Sequence, residues 1–183
     1  MANMKDDIER VLISEEEIKT KVKSLGEQIS RDFEGKDPLL VGVLKGCFVF
    51  MSDLMRYITI PCSVDFMAVS SYKGTTSTGA VAIQKDLSQS FEGKHVIIVE
   101  DILDSGLTLH YLEGYLSNRN PSSITIATLM DKQANRKAPV FARYACFDVP
   151  DEFVVGYGLD YDEKYRNLPY IGVLKPEVYS NQD

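Results

Sequence analysis

The sequence has no tryptophan, few cysteines and histidines, and no long apolar run. The three cysteines, Cys47, Cys62 and Cys146, are widely spaced and form no C-x-x-C pair, which argues against a disulfide framework and against a zinc site. No apolar run approaches the ~20 residues that a membrane-spanning helix needs. The N-terminus turns acidic at once, unlike a secretory signal. These features predict a cytoplasmic protein with no membrane partner.

Basic residues are also in deficit. The 183 residues include 20 Lys and Arg against 27 Asp and Glu, a net charge of −7. This balance argues against a nucleic-acid partner, because duplex binding depends on a basic surface that neutralises phosphates. It allows a small anionic substrate, since one pocket can be locally positive. The hydrophobic share of 44% and the charged share of 26% are those of an ordinary globular protein.

The apolar pattern alternates between strand-like and helix-like segments. Continuously apolar runs, typical of strands covered on both faces, occupy residues 39–44, 96–99 and 124–129. Segments with helical patterns are 14–33, 46–57 and 107–118. Ser14 and Glu17 have the spacing of a capping box at the first helix. The alternation predicts an α/β fold with a mainly parallel central sheet flanked by helices.

Two segments interrupt this pattern. Residues 70–79 are polar and punctuated by glycine, which predicts a mobile loop. The chain after Pro150 is crowded with aromatic and acidic residues. Since there is neither a repeat nor an interdomain linker, we expect one domain, with a core of about 35–150 and a small hood from about 1–13 and 150–183.

The most informative local pattern covers residues 96–108. A buried strand leads into two adjacent acids, Glu100 and Asp101, then into a turn of small residues and a helix start. In open α/β sheets, ligands bind beyond the carboxyl ends of the strands. The two acids are therefore expected where a sugar diol or a hydrated metal ion meets the protein.

The turn at 104–108 has the composition of an anion cradle. Backbone N–H groups point outward from such a turn, and the dipole of the following helix adds positive potential. Ser105 and Thr108 supply hydroxyl donors, and Gly106 allows the backbone to approach a phosphate closely. The plainer alternative is that Asp104 or Ser105 is an ordinary helix cap.

The 96–108 string resembles the phosphoribosyl pyrophosphate signature of the type I phosphoribosyltransferases, and within them that of the hypoxanthine-guanine phosphoribosyltransferases. Other landmarks occur in the family's order over most of the chain. They are a pyrophosphate loop at 43–46, Ser71 and Tyr72 at the start of a flexible loop, Lys132 and the run 153–161 as a purine pocket, and Arg166 as a pyrophosphate arginine. The resemblance implies that family's fold, with a small hood subdomain made of the terminal segments.

The resemblance also implies a reaction, the transfer of a phosphoribosyl group from phosphoribosyl pyrophosphate to hypoxanthine or guanine in purine salvage. Asp104 would handle the proton on purine N7, a role that suits a carboxylate whose pKa is raised by neighbouring like charge. Lys132 would donate to the 6-oxo group and disfavour adenine, which offers only donors there. Phe153 would stack on the purine, and the carbonyls of Val154 and Asp160 would meet ring position 2.

The donor site implied by the resemblance is larger. It comprises Lys45, Gly46, Glu100, Asp101, Asp104, Ser105, Gly106, Leu107, Thr108 and Arg166. Glu100 and Asp101 would hold the ribose hydroxyls directly or through Mg²⁺, with Asp160 as a second metal contact. The family has a cis peptide that falls here at Leu44–Lys45. The loop begun by Ser71 and Tyr72 would close over the site and exclude water.

Alternatives remain for single residues and for the whole chain. Taken alone, Lys45 and Lys132 suit solvated lysines, Arg166 a surface arginine and Phe153 a core aromatic. The turn lacks the lysine that some relatives carry at its fourth place. The competing functions are a transferase that prefers xanthine or another base and a non-catalytic sensor of phosphoribosyl pyrophosphate or nucleotide. For the assembly, the resemblance implies a homodimer or a homotetramer.

Overall fold

A six-stranded sheet forms the centre of the structure, a computed structural model that describes residues 4–71 and 81–180. Its strands are β2 (Leu39–Leu44), β3 (Ser63–Ser71), β4 (Val81–Lys85), β5 (His95–Leu103), β6 (Ser123–Asp131) and β7 (Tyr144–Asp148). They lie in the order β4-β3-β2-β5-β6-β7. All neighbours are parallel except β4, which runs antiparallel to β3. The predicted α/β class with a mainly parallel sheet is confirmed.

Helices cover both faces of this sheet, which explains its continuously apolar strands. The helices are α1 (Glu15–Asp32), α2 (Phe48–Tyr57) and α3 (Leu107–Ser117). Successive side chains of a strand point to opposite faces. Ile97 of β5 accordingly packs in a cluster with α1 and α2, whereas Ile98 packs in a second cluster with α3. Both side chains are fully buried.

The α1 helix begins as its sequence predicts. Ser14 is the N-cap, its hydroxyl accepts from the backbone N–H of Glu17, and the Glu17 carboxylate accepts from the N–H of Ser14. This capping box satisfies two of the backbone donors that every helix start leaves unpaired. At the other end, Phe33 caps the helix and Gly35 adopts a left-handed φ of 73°.

A second, three-stranded sheet brings the two ends of the chain together as a hood. It contains β1 (Ile8–Ile13), β8 (Val154–Val155) and β9 (Ile171–Leu174), and the order is β1-β9-β8 with antiparallel pairs. A short helix, α4 (Pro176–Tyr179), follows β9. Short 3₁₀ segments occupy Met4–Asp7 and Gln133–Asn135.

Three boundaries differ from the sequence prediction. β5 continues through Glu100 and Asp101 to Leu103, because Glu100, Ile102 and Leu103 still pair with β6. α2 begins at Phe48 rather than Gly46. Ser70 and Ser71 pair with β4, so the predicted loop begins later; the rest of it, with Tyr72, lies outside the described residues. Within the described ranges, no helix has the length and apolar character to cross a membrane.

Candidate active site

The parallel strands bring the predicted ligand residues to one edge of the sheet. β2, β5 and β6 are adjacent and parallel, so their carboxyl ends lie side by side. Lys45 follows β2, Asp104 follows β5 and Lys132 follows β6. The backbone N–H of Lys132 donates to the carbonyl of Leu103 at 2.9 Å, which joins the last two strand ends.

The segment after β2 lies directly against Asp101. A Cβ atom on Gly46 would overlap Oδ2 of Asp101, and one on Gly158 would overlap the carbonyl oxygen of Gly46. Side chains at either glycine are therefore excluded by packing. The Leu44–Lys45 peptide bond is cis, in agreement with the expectation from the family.

Glu100 and Asp101 are acids in a poorly solvated environment. Burial raises the pKa of Glu100 well above its usual range, and the neighbouring Asp101 charge raises it further. Burial also raises the pKa of Asp101 to about 6, against the opposing effect of the Ile102 N–H, which donates to Asp101 Oδ1 at 2.8 Å. Oε2 of Glu100 is buried and has no hydrogen-bond partner.

The turn after β5 is built around Gly106. This residue is the N-cap of α3 and has a left-handed φ of 79°, which favours glycine. The N-cap position therefore belongs neither to Asp104 nor to Ser105, although the Ser105 hydroxyl accepts weakly from the N–H of Leu107 at 3.4 Å. Thr108 stands in the first turn of α3. Oδ1 of Asp104 is buried without a hydrogen-bond partner.

An ionic network that involves a tight loop at 156–165 lies in the same cavity as Gly46 and Asp101. Asp162, Glu163 and Tyr165 in this loop have positive φ although they are not glycine. Arg166 pairs with Asp160 at 2.8 Å and with Glu163 at 3.4 Å. Glu163 also accepts from Nζ of Lys45 at 3.0 Å. These two cations lower the pKa of Glu163, Lys45 through its hydrogen bond more strongly than Arg166.

Lys132 has a buried side chain at the purine end of the predicted site. Its Nζ donates to the carbonyl of Glu152 at 2.8 Å and lies 3.6 Å from a carboxylate oxygen of Asp151. It is 7% exposed, so the alternative of a solvated loop lysine does not describe it. Because an ammonium group has three N–H donors, Lys132 can also donate to a further buried carbonyl acceptor.

Phe153 is 40% exposed and is not a core residue. Its ring stacks on Tyr179 of α4, with centroids 4.9 Å apart and planes at 20°. Tyr161 meets the same ring edge-on at 5.5 Å. Tyr179 covers one face of the ring, so a purine would have to use the other. Val154 follows in β8 and is buried.

A cavity of about 520 Å³ occupies the pyrophosphate end of this edge. Predicted residues that line it are Lys45, Gly46, Asp101, Asp160 and Arg166, and Gln84 and Glu163 line it as well. Asp104, Lys132 and Phe153 are outside the lining of this cavity. A larger cavity of about 590 Å³ lies between α1, α2 and residues 166–169, and Arg166 borders both. The predicted chemistry is thus not in the larger cavity.

Glu100 and Asp101 have oxygens of the kind that hold a magnesium ion. Among residues 4–71 and 81–180, no three His, Cys, Asp or Glu side chains form a ready metal site. Mg²⁺ commonly uses one or two carboxylates and completes its shell with phosphate and water oxygens. The partnerless Glu100 Oε2 and the adjacent Asp101 carboxylate provide such oxygens. Both Asp160 oxygens are already engaged: Oδ1 forms an ion pair with Arg166, and Oδ2 accepts a hydrogen bond from the Glu163 N–H.

Three residues near the site were not assigned from the sequence. Glu163 binds both predicted pyrophosphate cations, Gln84 lines the cavity, and Arg136 bonds to the carbonyl of Asp104. No periodicity or motif marks any of them. Arg136 is next to Lys137 in sequence, and that adjacency is typical of a solvated loop.

Comparison with known proteins gives consistent matches. The family model described as "Phosphoribosyl transferase domain" matches residues 13–162. The hypoxanthine-guanine phosphoribosyltransferase of Bacillus subtilis is 56% identical over 179 residues, which are 97% of this chain and 99% of that protein. The bifunctional protein TilS/HprT of Listeria innocua is 54% identical over 97% of this chain, but the chain spans 28% of that longer protein.

Solved structures agree with these relatives. A hypoxanthine phosphoribosyltransferase from Staphylococcus aureus superposes with a TM-score of 0.94 at 54% identity and covers 97% of each chain. A hypoxanthine phosphoribosyl transferase from Trypanosoma cruzi, solved in a study of how its C-terminal region affects oligomeric state and enzymatic activity, gives a TM-score of 0.91 at 42% identity. It covers 96% of this chain and 95% of the other.

Proposed function

The chain belongs to the phosphoribosyl transferase domain family, and from this membership we propose its reaction. It transfers the 5-phosphoribosyl group of phosphoribosyl pyrophosphate to hypoxanthine or guanine, giving IMP or GMP and pyrophosphate, and so serves purine salvage. The curated relatives that share 51–56% identity over 99% of their length carry the name hypoxanthine-guanine phosphoribosyltransferase.

One observation in the structure carries the proposal. Within the described ranges, three buried side-chain atoms have no hydrogen-bond partner: Glu100 Oε2, Asp104 Oδ1 and Arg166 Nε. All three belong to residues expected to contact phosphoribosyl pyrophosphate. Buried polar atoms are rarely left without partners, because desolvation without a hydrogen bond is unfavourable. A polar ligand between these side chains would supply the missing bonds.

Phosphoribosyl pyrophosphate would lie across the strand ends, with its phosphates bound by cationic side chains and backbone N–H groups. Ser105, Gly106, Leu107 and Thr108 hold the 5′-phosphate at the start of α3. Lys45, Gly46 and Arg166 hold the pyrophosphate, and Arg166 suits this role because its planar fork matches phosphate oxygens. To do so, Lys45 and Arg166 exchange the Glu163 carboxylate, which they share in this structure, for the pyrophosphate.

Mg²⁺ fits Glu100 and Asp101, and Asp160 would become a further contact when Arg166 leaves its Oδ1 for the pyrophosphate. When bound, it neutralises charge on the leaving pyrophosphate. The acids themselves orient the ribose hydroxyls. Burial opposes the ionisation of both acids. The positive charge of the metal and the hydroxyl groups of the ribose would favour their carboxylate forms.

The bond to the pyrophosphate oxygen breaks at C1′ of the ribose as the purine nitrogen bonds to the same carbon. The purine gives up a proton in this exchange, and Asp104 accepts the N7 proton as general base. For Ser71, at the end of β3, and for Tyr72, the resemblance implies a role in excluding water, which would otherwise capture the sugar cation.

Base selection rests on Lys132. Its ammonium donates to the 6-oxo group, and adenine would leave this buried donor facing an amino group. Phe153 stacks on the ring, while the backbone carbonyls of Val154 and Asp160 accept from the guanine 2-amino group. The enzyme acts in the cytoplasm as a homodimer or a homotetramer.

The test is pyrophosphate release with Mg²⁺ and phosphoribosyl pyrophosphate, with hypoxanthine, guanine, xanthine and adenine offered separately. We expect equal amounts of nucleotide and pyrophosphate from the first two bases and none from adenine. A preference for xanthine would overturn the base assignment. Tight donor binding without turnover on any base would overturn the enzyme and favour a sensor.

A further inference from the structure

Arg136 connects the turn after β5 to the end of β6. Its Nε donates to the carbonyl of Asp104 at 3.0 Å, and Nη2 donates to the carbonyl of Leu103 at 3.3 Å. Nη1 donates to the carbonyl of Val140 at 2.8 Å. Nη2 also forms an ion pair with Asp131, the last residue of β6. One guanidinium group therefore joins three backbone segments.

The pair formed by Arg136 and Asp131 is shielded from water. The side chains are 20% and 11% exposed, respectively. An arginine has five N–H donors in a rigid plane, and here that plane contacts three carbonyls and a carboxylate. A lysine could not make these bonds together, because its single ammonium group is not planar or forked.

Neighbouring backbone bonds extend the same connection. The N–H groups of Lys137 and Ala138 both donate to the carbonyl of Ser105, at 2.8 and 3.2 Å. A Cβ atom on Gly106 would lie 3.0 Å from Cδ of Arg136, so the turn packs directly on the arginine side chain. Residues 136–138 therefore hold the start of the turn at 104–108 in place.

The contacts leave the chemistry of Asp104 untouched. Arg136 bonds to its backbone carbonyl, whereas the carboxylate oxygen Oδ1 has no partner. The other end of the connection, Asp131, immediately precedes Lys132. Arg136 therefore adds a side-chain connection between the peptide of Asp104 and the strand end before Lys132, beside the backbone bond from Lys132 to Leu103.

We propose that Arg136 is a positioning residue for phosphoribosyl transfer, which holds the Asp104–Gly106 turn in register with Lys132. This inference rests on the proposed function. Arg136 touches neither substrate. It acts by fixing the peptide that carries Asp104, so that the phosphate cradle and the bound base present their reacting atoms to each other.

The experiment compares Arg136→Lys, Arg136→Ala and Asp131→Asn with the unchanged enzyme. Each is assayed for kcat and for both KM values with hypoxanthine and phosphoribosyl pyrophosphate, well below its Tm. We expect kcat to fall about a hundredfold in both Arg136 variants, since a misplacement of about 1 Å has such an effect. In Asp131→Asn, Arg136 keeps its bonds to the backbone carbonyls, so kcat should fall less. Guanidinium ion added to Arg136→Ala should restore part of kcat.

A matched control is Arg119→Met. Arg119 binds Asp86 and Tyr115, remote from the strand ends, and its loss should lower Tm with kcat changed less than about twofold. Lowered Tm with unchanged kcat in Arg136→Lys and Asp131→Asn would overturn the positioning role, even if Arg136→Ala does not fold. If the protein without substitutions has no transferase activity, the proposed function is overturned instead. Failure of the positioning role and failure of the proposed function therefore give different results.

Discussion

The carboxylate of Asp101 occupies the space that a side chain at position 46 would need. A Cβ on Gly46 would overlap Oδ2 of Asp101, and a Cβ on Gly158 would overlap the carbonyl oxygen of Gly46. Gly46 and Asp101 lie on neighbouring parallel strand ends, so the contact ties the predicted pyrophosphate loop to a predicted ribose and metal ligand.

Gly46→Ala should therefore impair donor use. The added methyl group must displace either the backbone after β2 or the Asp101 carboxylate, and a shift of about 1 Å at a reacting centre lowers the rate by about a hundredfold. Steady-state kinetics should show this loss in kcat/KM for phosphoribosyl pyrophosphate.

Gly114→Ala is the matched control for this substitution. A Cβ on Gly114, in the middle of α3, would meet no heavy atom within 4 Å. Alanine also favours helix over glycine by up to about 1 kcal/mol, so Tm should stay the same or rise while kcat/KM is unchanged. Equal kinetics in both variants would contradict the importance of the Gly46–Asp101 contact.

Asp104→Asn should lower kcat by about a hundredfold or more, because an amide cannot accept the N7 proton. The substitution keeps the size of the side chain and its backbone bond to Arg136, so circular dichroism and Tm should remain close to those of the unchanged protein. Full turnover in a folded variant would remove Asp104 from the reaction.

Lys132→Gln should lower kcat/KM for hypoxanthine by about ten- to a hundredfold, the effect of losing a charged hydrogen-bond donor. Discrimination against adenine should weaken at the same time. Lys137→Gln is the comparison, since that residue lies in the same loop and is exposed. If both variants change base preference equally, general charge rather than a specific donor would be responsible.

Tyr179→Ala should raise KM for the purine by about three- to tenfold, the range of one aromatic pair. Phe153 would lose the ring that stacks on it and would no longer be held as a platform. Tyr179→Phe keeps the ring and should keep KM. Tyr111→Ala removes an exposed ring that stacks on Tyr115 and serves as the control. A change in kcat rather than KM would contradict a platform role.

The raised pKa of Asp101 predicts how stability changes with pH. The native carboxyl titrates at about 6, compared with 3.8 as its ordinary value. Between these values the native state binds more protons than the unfolded state, so the free energy of unfolding falls as pH rises from about 4 to about 6. Asp101→Asn should lack this component.

Urea denaturation without ligand or metal measures this component at pH 4.5 and 7.5. The unfolding free energy of Asp101→Asn minus that of the unchanged protein should be larger at pH 7.5 than at pH 4.5. Titrating groups that do not interact with Asp101 contribute equally to both proteins and cancel from the difference. The substitution also removes the charge that raises the pKa of Glu100, which changes the difference in the same direction. A difference in unfolding free energy that does not vary with pH would show that Asp101 ionises normally in the native state.

The sequence by itself determined three helices, three strands of the central sheet and the edge at which the candidate site lies. Apolar runs predicted β2, β5 and β6, although β5 proved to extend through Glu100 and Asp101. Parallel strands must end at a common edge, so residues that follow them are neighbours whatever the details of packing. The motif at 96–108 and the resemblance then indicated the reaction.

Only the tertiary structure decided which side chains meet at that edge. Glu163 and Arg136 belong to loops, whose paths follow from turns and long-range contacts and not from hydrophobic periodicity. Arg136 has the same residue type and local composition as a solvated arginine, yet it is only partly exposed and bonds to Asp131 and to the carbonyl of Asp104. Periodicity reports which face of an element is apolar, whereas partners of a polar group depend on the segments that folding brings beside it.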